Sequence, residues 1–245
     1  MGKKQGAYLY GITAMQVGEV DCPGIGTPPQ KVHLVPAGGV GLIITHLSPD
    51  FEDVSIEDAV QHVRVLENVM AKSPVLPIRF GTVAESLADL KRMVASHEFV
   101  IRKELNRLKG KYEVGVKAYW RKEVILEELQ QSKDYSTLVE QAQQDSRTAI
   151  ELGQRIESIA NEWRSKFEEQ FHPELARLTT DSIVGEAMGV EMVYNGSFLV
   201  TPEQDQRLKE KVVDIAEKKL ASKIEFHYTT NLPPYNFVKL KLHWG

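Results

Sequence analysis

The stretch Ser73-Pro74-Val75-Leu76-Pro77-Ile78-Arg79-Phe80-Gly81-Thr82-Val83 sets an apolar run between two prolines and closes it on Arg-Phe-Gly. Proline has no ladder donor, so Pro74 and Pro77 suit the start or the edge of a strand. Gly81 admits backbone conformations that Cβ-bearing residues avoid. The pattern predicts a strand over 75–80, a tight exit at Gly81 and a helical segment beyond. At that exit the five donors of Arg79 can hold a carboxylate, a carbonyl of the turn, or the tail of the chain. An intramolecular clamp is the expected role, with a ligand site as the alternative.

Upstream, residues 7–12 alternate Tyr, Leu, Tyr and Ile as a first strand would. A Gly/Pro-rich segment over 21–30 reads as a loop. Residues 32–35 and 41–45 flank Pro36-Ala37-Gly38-Gly39 and read as a hairpin. That joint lacks the following helix of a phosphate cradle. Ser55 is placed to cap a helix whose early acids, Glu57 and Asp58, suit its N-terminus. Val60, Val63, Leu66, Glu67 and Met70 mark the expected apolar stripe, ending near Lys72. Helical spacing returns at Leu87, Leu90, Met93 and Val94, then at Val100, Ile101, Leu105 and Leu108, and Gly110 stops it. Ser96 and Glu98 read as a helix start, and residues 112–120 alternate as a strand.

Composition shifts after Trp120. Residues 121–171 are charged and glutamine-rich, with no proline and only Gly153 as glycine. Ala149, Leu152, Ile156, Ile159 and Trp163 step by threes and fours into one helical seam, and Pro173 ends or bends that helix. The seam is read as packing within the molecule, with a coiled-coil partner as the alternative. Residues 190–193 and 197–200 flank Asn195-Gly196, a two-residue hairpin signal. Thr201-Pro202-Glu203-Gln204 starts a helix with a capping box, and Leu208, Val212, Ile215 and Leu220 share one face. Residues 224–229 form a last strand. From Val114 onward the order is βαββαβ, that of a ferredoxin-like unit. The expected architecture is α+β in two domains, each a mixed or antiparallel sheet with helices, ferredoxin-like. The domains are 1–120 and 121–230, the first strand of the latter being 112–120, and a tail spans 231–245. The tail is too apolar for a free linker. It should pack between or across the domains, burying Tyr235 and Phe237.

A net charge of −4 argues against a general nucleic-acid binder, which needs a basic surface. A single cysteine, Cys22, forbids a disulfide framework within the chain and favours a reducing setting. No apolar run approaches the ~20 residues of a membrane span. Met1-Gly2-Lys3-Lys4 has no apolar h-region behind it, which argues against a signal peptide, and Gly6 argues against myristoylation. His33, His46, His62, His97, His172, His227 and His243 are scattered without metal-ligand spacing. His97-Glu98 points its two side chains in different directions, and Cys22 has no base beside it in sequence. No catalytic, cofactor-binding or metal residues are assigned, and no cofactor is expected.

Tyr8-Leu9-Tyr10-Gly11-Ile12, the 73–83 stretch, His97-Glu98 and Leu232-Pro233-Pro234-Tyr235-Asn236-Phe237-Val238, in this order, resemble the gas vesicle protein F/L family over nearly the whole chain. The block from 75 to 117 is the most specific part. Asn231-Leu232 stand where the family pattern has Gly-Pro, so the turn into the tail is expected to differ. The resemblance implies a non-enzymatic minor structural or accessory protein of gas vesicles, with no membrane or nucleic-acid partner. Its partner would be the major hydrophobic wall protein, with other gas vesicle proteins as further candidates, and its role nucleation or assembly of the shell. It would sit at the gas vesicle, with the soluble cytoplasm as a second location. The candidate structural or interaction residues are Arg79, Phe80, Gly81, Pro233, Pro234, Tyr235 and Phe237. The alternative is a small-molecule-binding or enzymatic ferredoxin-like protein. A deep pocket with perturbed titratable groups would favour that alternative, and a wide apolar patch the assembly role.

Overall fold

The computed structural model describes residues 6–14, 18–47, 55–121, 123, 127, 146–219 and 223–240. Its backbone divides into two compact units, one of Met1–Glu113 with Asn231–Gly245 and the other of Val114–Thr230.

The first unit opens with β1 (Ala7–Thr13), β2 (Glu19–Pro23), β3 (Lys31–Ala37) and β4 (Val40–His46). Then come α1 (Ile56–Met70), the short β5 (Val75–Pro77) and β6 (Val83–Ala84), and helices α2 (Leu87–Ser96) and α3 (Glu98–Leu108). The sheet order is β2-β3-β4-β1-β5, with β6 also on β1. β1 is therefore central, antiparallel to β4 on one side and to β5 and β6 on the other. All seven of its residues are buried, as a strand covered on both faces requires. The expected hairpin is present, β3 pairing with β4 from Val32↔Thr45 to Ala37↔Val40. β2 was not expected: its pairing to β3 is irregular and it ends on Pro23, so it carries no clean alternation.

Ser55 and Asp58 form the capping box of α1, the Ser55 hydroxyl accepting from Asp58 N–H at 3.1 Å and the carboxylate from Ser55 N–H at 2.9 Å. The buried face is His62, Val65, Leu66 and Val69, not the expected stripe, and Val60 is half exposed. A histidine hides the true phase of the helix, because a polar residue is read as outward-facing. The strand expected over 75–80 ends at Pro77. Ser96 does not start α3 either: its hydroxyl donates to Met93 O at 2.8 Å, and His97 occupies the cap position.

The second unit contains β7 (Tyr112–Trp120) from Val114 on, α4 (Ser146–Lys166), a π-helical turn over Phe167–Phe171, α5 (His172–Ala176), β8 (Asp181–Val184), β9 (Met192–Val200), α6 (Pro202–Lys219) and β10 (Ile224–Leu232) up to Thr230. The sheet order is β10-β7-β9-β8. Pro173 cannot donate to the turn before it, and the π turn takes up that break in register. Along α4, Leu152, Ile156, Ile159 and Trp163 are half-buried and Ala149 is exposed. Trp163 meets Trp120 edge to face at 4.9 Å. Leu220 lies outside the described residues, while Leu208, Val212 and Ile215 are buried along α6 as expected.

Asn195-Gly196 does not turn. The two residues lie inside β9, and the hairpin is instead β8–β9, with Val184 paired to Gly196. A Cβ on Gly196 would meet the Tyr194 ring within 2.4–2.7 Å, so this glycine is the floor on which that ring lies. Thr201 and Gln204 do form the expected capping box: Thr201 N–H donates to Gln204 Oε1 at 3.0 Å, and Gln204 N–H to Thr201 Oγ1 at 3.4 Å.

Gly11 marks the tightest backbone approach around β1. A Cβ there would lie 2.8 Å from Leu76 O and 2.9 Å from Leu66 Cδ2. Gly11→Ala should lower stability in urea by about 1–3 kcal/mol through overpacking. Gly153→Ala, whose Cβ would meet nothing within 4 Å on α4, should be neutral or stabilising. Equal effects would show that the strand spacing around β1 is not a constraint.

Candidate functional site

Three residues of the opening stretch leave the first sheet. Ile78 N–H still donates to Tyr10 O at 2.9 Å, and Leu9 N–H donates to Thr82 O at 3.0 Å. Arg79, Phe80 and Gly81 form the excursion between those two bonds. Gly81 has φ +83°, a left-handed conformation that Cβ-bearing residues adopt only with strain. Its N–H donates to the Tyr8 hydroxyl at 3.2 Å, and that hydroxyl lies 2.7 Å from His62 Nδ1. With the phenol donating to Nδ1, the neutral imidazole carries its proton on Nε2. Nε2 is buried and makes no well-formed hydrogen bond, and the nearby Ile78 carbonyl is the group that favours a proton there. Burial drives the His62 pKa down to about 4, so the ring is neutral. Burial likewise pushes the Tyr8 phenol well above its usual range.

Phe80 packs edge to face on both His62 (5.7 Å, 90°) and Tyr8 (6.4 Å, 63°). Arg79 is exposed, and its guanidinium makes no hydrogen bond or ion pair with a described residue; only its carbonyl is engaged, by Thr82 Oγ1 at 2.7 Å. The expected clamp has no counterpart here. The exit turn is closed by the hydroxyls of Tyr8 and Thr82 instead.

Tail residues from Asn231 to Leu240 belong to the same unit. Asn231 has φ +60°, a conformation asparagine tolerates better than most residues. Pro233, Pro234 and Phe237 are buried. Glu113 holds Asn236 through its backbone N–H (3.0 Å) and side-chain amide (2.6 Å), and Arg107 donates to the Phe237 carbonyl. Tyr235 departs from expectation: it is 38% exposed, because its ring stacks on His62 at 6.4 Å and 25° while one side stays open. Leu242 lies outside the described residues.

Between the excursion, α1 and the tail lies a half-open recess of about 640 Å³. Leu9, Ile12, Val63, Leu76, Met93 and Leu240 are among its apolar walls, with His62, Arg79 and Tyr235 also lining it. Of the candidates named from sequence, Arg79, Phe80 and Tyr235 meet here. Tyr8 and His62 were missed. The one signal for them is a histidine on a helix facing a strand with two tyrosines, and it carries no spacing rule.

A second feature lies in the other unit. β10 is an edge strand, and beside it α6 leaves a groove of about 410 Å³ whose apolar lining is Val212, Val213, Ala216, Ile224 and Phe226, with Tyr228 and the charged Arg121, Lys209, Glu217 and Glu225 also lining it. In that unit His172 Nδ1 lies 2.7 Å from Tyr194 Oη, and its Nε2 3.3 Å from Ser182 Oγ. This links three elements, but both ring nitrogens meet hydroxyls, and among the described residues no carboxylate is hydrogen-bonded to the ring. Among the described residues no group of three or more His, Cys, Asp or Glu side chains is placed to hold a metal ion, and no helix is long and apolar enough to cross a membrane.

The sign of the His62 effect is fixed by its depressed pKa. The unfolded chain takes up a proton near the ordinary 6.5, whereas the folded chain resists it until about pH 4. Stability from this group is therefore complete above pH 6.5 and lost as pH falls toward 4, by about 3 kcal/mol in all. Urea unfolding across that window should show the loss, and His62→Gln should flatten the slope by that amount; His33 and His172, lowered by burial too, leave a residual slope. Arg79→Ala should shift stability by no more than about 0.5 kcal/mol, as for an exposed unpaired side chain. A larger loss would restore the clamp.

Comparison with known proteins agrees with this architecture. The family model described as gas vesicle synthesis protein GvpL/GvpF matches residues 6–239. Gas vesicle protein F of Dolichospermum flosaquae is 25% identical over 95% of this chain and 97% of its own length. Gas vesicle protein F1 of Halobacterium salinarum is 22% identical over 96% and 93%. The crystal structure of GvpF from Anabaena sp. PCC7120 superposes with a TM-score of 0.79 at 25% identity, covering 98% of each chain. That of GvpF from Microcystis aeruginosa gives 0.74 at 23% identity, covering 96% of this chain and 99% of the other. The α+β expectation is met. The chain belongs to the GvpL/GvpF family of gas vesicle synthesis proteins, and its role is that of a gas vesicle accessory protein.

Proposed function

We propose that this protein is a non-enzymatic assembly factor that binds the hydrophobic gas vesicle wall protein and assists nucleation or growth of the shell. A wall subunit must turn a water-repelling face toward gas, and before assembly that face aggregates unless it is covered. The observation that carries the reading is the β10 edge beside the α6 groove. Among the described residues no strand pairs with the outer edge of β10, so it offers backbone donors and acceptors, and the adjoining Val212, Val213, Ala216, Ile224 and Phe226 offer apolar contact. The two together fit strand addition by an apolar segment. Other gas vesicle proteins are secondary partners on this reading, and the protein's working place is the gas vesicle.

The test is retention of each purified gas vesicle component by the immobilised full chain. The wall protein should be retained, and Val213→Asp should weaken retention about ten-fold or more by placing a charge in the groove. Val213 is 45% exposed, so the substitution should leave the melting temperature nearly unchanged. Retention unaffected by Val213→Asp removes the groove from the proposal, and a wild type that retains no wall protein removes the proposal itself. The recess in the other unit, with its perturbed histidine, favours a second reading as a small-molecule site.

A further inference from the structure

The geometry points to a ligand site in the recess beside His62, for a small amphipathic anion whose aliphatic body fills the apolar cavity and whose carboxylate meets Arg79. Its volume, about 640 Å³, lies within the range of small-molecule sites. Four parts of the first unit build it: β1, α1, the 76–82 stretch and the tail, with Met93 of α2 closing one side. The inference rests on this unit alone and does not depend on the β10 groove.

Three observations set the ligand's chemistry. First, the wall is apolar almost throughout, from Leu9, Ile12, Val63, Leu76, Met93 and Leu240, so the body of the ligand is apolar. Second, Arg79 is the one charged side chain among the described residues that line the recess, and its guanidinium has no partner among them. A planar cation with unused donors, at the edge of an apolar hollow whose described lining holds no carboxylate, is complemented by a carboxylate at one end of the ligand. Third, His62 carries a buried nitrogen with no well-formed hydrogen bond, and Tyr235 stacks over that ring while remaining part exposed. Both rings line the recess. A buried polar atom with no well-formed partner at the wall of a hollow calls for an explanation, and a polar group of a ligand supplies one. A medium-chain acid of about ten carbons meets the size and both chemical requirements.

Decanoate, below its micellar concentration, is the probe, titrated into the full chain while melting temperature and the His62 imidazole resonances are followed. Saturable binding is expected, with a rising melting temperature and a shift of the His62 signals. Decanol, which lacks the anion, should bind about ten-fold more weakly, and Arg79→Gln should weaken decanoate by a similar factor and close the gap between acid and alcohol. Val63→Trp, which fills the recess, should abolish binding of both, and Arg79→Gln keeps the test decisive should that variant fail to fold. Absence of a saturable response to decanoate overturns the inference. So does equal decanoate affinity in wild type and Arg79→Gln. An apolar wall-protein peptide that moves the His62 signals where decanoate does not would make the recess a protein groove, and the inference falls.

Discussion

The Tyr8 hydroxyl is the constraint on which the first unit depends. It joins the Gly81 amide, 73 positions later in sequence, to His62, 54 positions later. Both partners are emptied of alternatives: Gly81 sits in a left-handed turn, and His62 is buried on the inner face of α1. The bond to His62 is buried, and breaking it costs more than it contributes when formed, because both side chains would be left without water. The excursion of Arg79 and Phe80 out of the sheet, the position of α1, and the stacking of Tyr235 all follow from where that oxygen sits.

Much of this frame can be read from the chain. The capping boxes at Ser55 and Thr201, the β3–β4 hairpin, β7 and the apolar face of α6 rest on local chemistry that a sequence displays directly. What escaped was set by partners far away. The phase of α1 turns on a histidine that counts as polar until a tyrosine hydroxyl is brought to it. Asn195-Gly196 has the composition of a turn, yet a ring two residues earlier in the same strand needs the space a glycine leaves. β2 is paired so irregularly that no alternation survives. In the recess, Arg79 and Tyr235 were visible as unusual residues. Their neighbour His62 was not, because only the folded sheet brings 8, 62, 80 and 235 together.

The two units handle apolar surface differently. In the first, apolar side chains surround a hollow and a single cation stands at its rim, so selectivity there would come from shape and one charge. In the second, apolar side chains flank the outer edge of β10, which no described strand covers, so an incoming segment would be recognised mainly through its backbone. The tail belongs to the first unit and is tied there through polar groups, Glu113 to Asn236 and Arg107 to the Phe237 carbonyl, rather than by apolar contact alone.

The dipeptide inside β9 has a consequence for the lifetime of the molecule. Glycine after asparagine leaves the following amide nitrogen unshielded, so in a mobile chain the asparagine side chain cyclises onto it and loses ammonia. Here the Asn195 carbonyl accepts from Gly185 N–H at 2.7 Å, its side-chain amide donates to Glu186 O at 2.9 Å, and Gly196 is paired with Val184. The backbone cannot rotate into the ring-closing geometry while β8 stays paired. Chemical ageing at this position therefore becomes a clock for how often that short strand opens.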